Sequence, residues 1–302
     1  MQFSHTALHR EVEPPGWFPS IAGLCVAALV SVAAFTGIHD PASYAHETAS
    51  WRVQGIGQDW VDLYVAVPWL IAASVAAFRG SYRGSLLLGG AFAYTAYSYA
   101  IYAFDVHFNQ LFLVYCAILG LSVYGLVALS FTFGDARPWF GERAPRRVAA
   151  GFLIASSVVF ALLWLAEDLP AVIRDEPPAS LVEAGLPTNG VHVLDLALVL
   201  PALFIAGILL WRRRGAGYVL STMALGFCVL MDLNIAGIAF AMHQAGLPSE
   251  LVLVAGFCVL GAFASVLLAW LLRSSTPQNL RAIRGPHDLR VHHTHGRAHP
   301  LH

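Results

Sequence analysis

Eight apolar stretches dominate this sequence, and each is long enough to cross a lipid bilayer, which takes about 20 apolar residues. Only 12% of the residues are charged and 58% are hydrophobic, whereas soluble domains carry about 25% charged residues. We therefore predict an all-α, polytopic transmembrane helical bundle of about eight spans. The predicted spans are Pro19–Gly37, Asp59–Phe78, Ser85–Phe104, Asn109–Phe133, Val148–Ala166, Val191–Trp211, Gly217–Met242 and Ser249–Leu272.

The distribution of arginine predicts how these spans are oriented. The chain has no lysine, so all 17 basic residues are arginine, and a lysine Schiff base of the kind that holds retinal is excluded. Cytoplasmic connections carry the excess of positive charge. Apart from Arg52 and Arg174, all the arginines fall on one side, at Arg10, Arg79, Arg83, Arg137, Arg143, Arg146, Arg147, Arg212, Arg213, Arg214, Arg273, Arg281, Arg284, Arg290 and Arg297.

This asymmetry predicts that both termini are cytoplasmic and that the number of spans is even. Residues 1–18 then form a cytoplasmic N-terminal segment, 134–147 a cytoplasmic linker and 273–302 a cytoplasmic tail. The segment before Pro19 is polar and of mixed charge, which is unlike a secretory signal, so we expect the first span to be retained. A lysine-free chain rich in Ala and Gly also suggests a bacterial source, and hence the bacterial inner membrane.

One motif occurs twice at a fixed separation. Each copy reads Asp-Leu, four apolar or aromatic residues and Pro, and it continues apolar to an arginine. The separation is 133 residues at the Asp (62 to 195), the Pro (68 to 201) and the Arg (79 to 212). It predicts two parallel four-span repeats, 19–133 and 148–272, related by a pseudo-twofold axis along the membrane normal as in parallel-repeat transporters. Coincidence is the alternative, because Leu and Pro are common in apolar helices.

Polar residues gather at the predicted outer ends of the spans. Ionisable groups in membrane segments usually face a bundle interior or a water-filled cavity. We therefore predict an outward-facing polar cavity, in which Asp62 and Asp195 are paired acids, with Asp59 nearby. The alternative for Asp59 is a helix cap, since an acid at a helix start meets free amides. Pro68 and Pro201 should disturb their helices and release backbone carbonyls.

Two polar residues lie deeper, because Asp232 and Asn234 fall near the middle of the seventh predicted span. An acid at that depth suggests a proton or cation site by default, although it could instead hydrogen-bond a partner helix. A divalent metal is a further hypothesis for the outer face, with His192, Asp195 and His107 as ligands. The alternative for His192 is a hydrogen-bonded histidine at the membrane interface.

Five tyrosines have two interpretations: Tyr94, Tyr97, Tyr99, Tyr102 and Tyr115. They could form an interfacial aromatic belt or, with Trp164, one wall of a ligand pocket. The four cysteines lie apart in apolar stretches and indicate neither a disulfide framework nor a zinc knuckle. Clustered histidines in the tail could bind metal or be incidental. The arginines lie mostly on the predicted cytoplasmic side and form no nucleic-acid-binding patch. Nucleotide-binding motifs and the HExxH metal-binding motif are absent.

The segments Gln58-Asp59-x2-Asp62-Leu63, Phe108-Asn109 and Asn189–Leu196 resemble those of a family of bacterial multi-pass membrane proteins with no assigned reaction. The resemblance implies localisation only. The leading hypothesis is small-solute or ion transport or binding through the outward-facing cavity. A metal-dependent membrane enzyme with its site at the outer face, and a structural or accessory subunit, are the alternatives.

Overall fold

The computed structural model describes residues 17–133 and 144–274, which form helices and connecting turns with no strand among them. The predicted tail beyond Ser274, most of the predicted linker and all but the last residues of the N-terminal segment lie outside these ranges. The helices are α1 Trp17–His39, α2 Ala49–Phe78, α3 Tyr82–Asp105, α4 Phe112–Thr132, α5 Arg146–Arg174, α6 Ala179–Ala184, α7 Gly190–Trp211, α8 Gly215–Gln244 and α9 Leu251–Ser274, with a 3-10 turn at Pro41–Tyr44.

Seven of the described helices are long and apolar enough to cross a membrane, namely α1, α2, α4, α5, α7, α8 and α9. The all-helical, multi-pass prediction is therefore confirmed, and helices are the expected solution because the bilayer core offers no partners for free backbone groups. The remaining predicted span, Ser85–Phe104, lies within α3. This helix falls short in hydropathy because it is rich in Tyr, Gly, Ser and Thr.

Helices α3 and α8 lie at the centre of the bundle. Helix α8 packs against α2, α3, α7 and α9, and α3 packs against α2, α4 and α8. The two cross where Gly90 meets the backbone of Met223 and Gly226, and a Cβ built on Gly90 would lie only 2.8 Å from the Met223 carbonyl oxygen. Small residues of this kind let helix backbones approach closely in membranes.

Two wide turns interrupt the helices at the repeated motif. A π-helical turn covers Asp62–Ala66 in α2, and another covers Asp195–Val199 in α7. Each ends immediately before the dipeptide that contains Pro68 or Pro201. The reason is that a proline inside a helix cannot donate to the carbonyl four residues earlier and clashes with it, and a π turn relieves that clash by taking in one extra residue.

The turns that join α2 to α3 and α7 to α8 have the same hydrogen bonds. In the first turn the donor and acceptor pairs are Arg79–Val75, Gly80–Ala77 and Ser81–Ala76. In the second they are Arg212–Ile208, Arg213–Leu210 and Arg214–Leu209, so every residue is displaced by 133. The residue with positive φ also coincides, because Gly80 has φ +80° and Arg213 has φ +60°.

Arg213 occupies a backbone conformation that costs a residue with a Cβ about 1–2 kcal/mol. We expect Arg213→Gly to raise the free energy of unfolding by up to about 1 kcal/mol, since the flexibility of glycine in the unfolded chain offsets part of the gain. Denaturation by SDS in mixed micelles measures the change. Arg212→Gly is the matched control, because Arg212 has φ −77° and should only lose stability. Equal losses in both variants would contradict the prediction.

The segments that precede the second and sixth predicted spans contain helices. Helix α2 begins at Ala49, where Thr48 Oγ1 accepts a hydrogen bond from the Trp51 amide at 3.2 Å. The alternative role of Asp59 as an N-cap is therefore wrong, because Asp59 lies well inside the helix. Thr48 also donates to the Ala184 carbonyl of α6 at 3.2 Å, so a hydrogen bond links the start of α2 to α6.

Asp40 follows the last residue of α1. Hydrogen bonds from the Ala42 amide and the Gln110 side chain lower the pKa of its carboxyl group.

Candidate functional site

A cavity of about 590 Å³ lies between α2, α3, α5, α7, α8 and α9. Most of its lining is apolar or aromatic, so it is less polar than the sequence predicts. Its acidic residues are Glu167, Asp195 and Asp232, and its amide side chains are Gln54, Gln58 and Asn234. The volume is within the range of pockets that hold small organic molecules.

Asp232 is the acid without a partner in this cavity. Its side chain is 8% exposed, and its Oδ2 atom is buried with no hydrogen-bond partner among the described residues. Helix α8 presents Asp232 towards α9, where a Cβ added to Gly261 would lie 3.2 Å from the Asp232 Cβ. A larger residue at position 261 would therefore contact the Asp232 side chain too closely, and glycine at this position provides the space that Asp232 occupies.

An amide pair joins the two halves of the chain in the same lining. Asn234 of α8 donates from Nδ2 to Gln58 Oε1 of α2 at 3.2 Å. This contact leaves Asn234 Oδ1 buried without a partner, and Trp51 Nε1 in the same lining is also buried without one. An unpartnered buried polar group costs about 1–3 kcal/mol, so these two atoms favour a molecule in the cavity that supplies both a donor and an acceptor.

Asp195 lies at the edge of the cavity with its carboxylate engaged. Trp164 of α5 donates from Nε1 to Asp195 Oδ2 at 2.8 Å. The Trp164 ring also stacks on the ring of His192, with centroids 4.2 Å apart. His192 Nδ1 lies 2.9 Å from Asp168 Oδ1. The alternative interpretation of His192 as a hydrogen-bonded histidine agrees with this geometry.

Asp62 and Asp59 do not line the cavity. Asp62 is 0% exposed and accepts a hydrogen bond from Tyr94 at 2.6 Å. Asp59 accepts hydrogen bonds from Tyr44 at 2.7 Å and from Tyr102 at 2.9 Å. The predicted pairing of Asp62 with Asp195 in one cavity is therefore not realised by the structure.

The physical reason is a difference in packing between the two halves. In the first half, α1 packs along α4 and α2, and the tyrosines of α3 cover the two acids. In the second half, α5 and α9 approach each other at only a few points. Aromatic contacts across this gap, such as Phe160 with Phe257 at 6.1 Å, form one wall of the cavity.

The tyrosines do not form an interfacial belt. Tyr94, Tyr99, Tyr102 and Tyr115 are buried, and the rings of the last three pack at centroid distances of 5.1–5.9 Å. Tyr97 and Tyr102 line the cavity together with Trp164. The pocket-wall interpretation therefore describes these two tyrosines, whereas the others enclose Asp59 and Asp62.

The residues proposed as metal ligands do not gather. His107 lies 3.1 Å from Glu47 Oε2, and its side chain is half exposed. His192 faces Asp168, and Asp195 faces Trp164. Within the two described ranges, no three His, Cys, Asp or Glu side chains stand close enough together to hold a metal ion.

Sequence reasoning missed Gln58, Trp51 and Tyr44 as parts of the candidate site. Gln58 belongs to the repeated motif region, and a glutamine inside an apolar span is itself a signal of burial against another polar group. Trp51 and Tyr44 carried no such signal, because both precede the predicted second span and were assigned to a loop.

Comparisons with known proteins leave the chain without an assigned family. No protein-family model, no curated protein and no solved structure matches it significantly.

Proposed function

We propose that this chain is a bacterial inner-membrane protein that binds a small solute in the cavity between its two halves, in order to transport or sense it. The observation that carries the proposal is a set of buried polar atoms without partners at one cavity: Asp232 Oδ2, Asn234 Oδ1 and Trp51 Nε1. Buried polar groups in native proteins are nearly always hydrogen-bonded. A bound solute would provide the missing partners.

The proposed topology has eight spans, with α3 as the additional one. Helix α3 has 24 residues, which at 1.5 Å per residue is about 36 Å and enough to cross a bilayer. Short connections join it to α2 and α4, so it returns the chain to the opposite end of the bundle. Eight spans agree with the arginine asymmetry, which favours cytoplasmic termini and an outward-facing site.

We also propose that the two halves are copies of one four-span unit. The shared π turns, the shared hydrogen bonds of the turns after α2 and α7, and the facing of Gly90 and Met223 support this (90 plus 133 is 223). Equivalent residues should meet at a twofold axis, and Gly90 meets Met223 at the central crossing of α3 and α8. Divergence between the halves then leaves Asp195 at the edge of the cavity, whereas its equivalent Asp62 is sealed in the core.

The cavity can be tested with a cysteine at position 231, because Met231 lines the cavity beside Asp232 and is only partly buried. We expect a Met231→Cys variant, with the native cysteines replaced by serine, to react in intact cells with a membrane-impermeant methanethiosulfonate reagent. Thiols react as thiolates, which form in water and not in lipid. Mass spectrometry of the purified protein measures the extent of labelling.

Single-cysteine variants that retain Cys116 or Cys258 are the matched controls, because both thiols lie exposed on the outside of the helices and should face lipid. We expect both to stay unlabelled. If the Met231→Cys variant labels no faster than these controls in intact cells and in inside-out vesicles, the proposed binding cavity is wrong. Labelling in inside-out vesicles alone would instead overturn the outward orientation.

A further inference from the structure

We infer that the solute is an organic monocation with an apolar body, bound with its positive charge at Asp232. This inference rests on the proposed function and names the class of its ligand. The cavity is lined by three acids, and no Arg, Lys or His is among its lining residues in the described part of the chain. A site with this charge pattern attracts cations and rejects anions.

Asp232 is the acid that is free to bind the charge. Asp195 already accepts the Trp164 N–H at 2.8 Å, and Glu167 accepts a hydrogen bond from Ser180. Asp232 has no such donor, although its side chain is more than nine-tenths buried and borders the cavity. A carboxylate removed from water requires a compensating charge or a proton, and a cationic ligand supplies the charge.

The surroundings of Asp232 favour an organic cation over a metal ion. Hard cations such as Ca²⁺ or Mg²⁺ need about six oxygen ligands. The lining near the middle of α8 is instead made of Phe227, Cys228 and Met231, with Phe257 and Leu260 opposite. Aromatic faces stabilise organic cations through their quadrupoles, and apolar side chains favour an apolar ligand body.

Asn234 and Trp51 account for a polar group elsewhere on such a ligand. Both lie in the same cavity, and they present one free acceptor, Asn234 Oδ1, and one free donor, Trp51 Nε1. A hydroxyl or amide group on the ligand offers both the donor and the acceptor that these atoms lack. The cavity therefore fits an amphipathic amine better than a compact inorganic ion.

Tetraphenylphosphonium and tetraphenylborate test this inference, because they have the same shape and opposite charge. We expect the protein in nanodiscs to bind tetraphenylphosphonium more tightly than tetraphenylborate in equilibrium dialysis. Asp232→Asn should weaken tetraphenylphosphonium binding by at least about tenfold, since it removes a unit charge at short range in a poorly screened site. Binding of tetraphenylborate should not weaken.

Asp175→Asn is the matched control, because it removes the same charge from an exposed residue at the end of α5. It should leave both affinities within about twofold of the native protein. The inference is overturned if the native protein binds neither ion or shows no charge preference, or if both variants behave alike. In those cases, labelling of the Met231→Cys variant still reports separately on the proposed cavity, and co-elution of the Asp232→Asn variant with the native protein on size-exclusion chromatography shows that the variant is folded.

Discussion

Gly90→Leu is expected to lower the free energy of unfolding by at least about 3 kcal/mol, because a side chain at this position collides with backbone atoms. A Cβ would lie 2.8 Å from the Met223 carbonyl oxygen and 3.0 Å from the Gly226 Cα. Overpacking a well-packed core costs about 1–3 kcal/mol even where side chains can shift. Here the neighbouring atoms belong to the backbone of α8, so relief requires α3 and α8 to move apart.

Denaturation by SDS in mixed micelles, followed by circular dichroism, measures this change. Gly120→Leu in α4 and Gly256→Leu in α9 are matched controls, since a Cβ at either glycine meets nothing within 4 Å. If the Gly90→Leu protein does not accumulate in the membrane, the smaller substitution Gly90→Ala tests the same contact. A Gly90→Leu protein that unfolds together with the Gly120→Leu control would show that the crossing of α3 and α8 is not as close as described.

Asp59→Ala is expected to lower the free energy of unfolding by about 1–3 kcal/mol. The carboxylate accepts hydrogen bonds from Tyr44 at 2.7 Å and Tyr102 at 2.9 Å. Without it, Tyr102 keeps the Gly55 carbonyl as an acceptor at 3.1 Å and Tyr44 keeps the Tyr102 hydroxyl at 3.3 Å, so the cost is about that of one poorly paired buried group. Tyr44 lies before α2, Asp59 lies in α2 and Tyr102 lies in α3. The substitution therefore removes hydrogen bonds that join these three segments of the first half.

The same substitution in a Tyr44→Phe, Tyr102→Phe background is the control for this prediction. Without the hydroxyls there is no donor to leave unpartnered, so Asp59→Ala should cost substantially less there. Glu183→Ala removes an exposed acid and should change stability by no more than about 0.5 kcal/mol. An equal cost for Asp59→Ala in both backgrounds would exclude the hydrogen bonds as its cause.

The motif around Asp62 and Asp195 shows how far sequence reasoning reaches for this chain. The two prolines predict a local disturbance of both helices, and a π turn stands at each. The repeat also predicts equivalent surroundings for the two acids, and this part does not hold. Asp62 bonds to a tyrosine inside a sealed core, whereas Asp195 bonds to Trp164 at the edge of a cavity.

Asp232 differs from Asp62 in how well the sequence predicts its surroundings. Its depth in an apolar span singles it out in the sequence, and the structure places it in the cavity without a hydrogen-bond partner for Oδ2. That Asp232 and not Asp62 lines the cavity could not be predicted, because this depends on which helices close around each acid. The hydrogen bond between Gln58 and Asn234 likewise joins residues 176 positions apart, and no local sequence pattern predicts such a contact.

The sequence by itself determined that this is a helical, multi-pass membrane protein, since apolar length and hydrogen-bond satisfaction in lipid leave little choice of structure. The tertiary structure alone decided which polar residues are sealed and which are available to a ligand. The reason is that the hydropathy of a segment depends on its own residues, whereas the burial of a side chain depends on how closely separate helices approach each other. The close packing of α1 with α4 seals Asp59 and Asp62, and the wider spacing of α5 and α9 leaves Asp195 and Asp232 at a cavity.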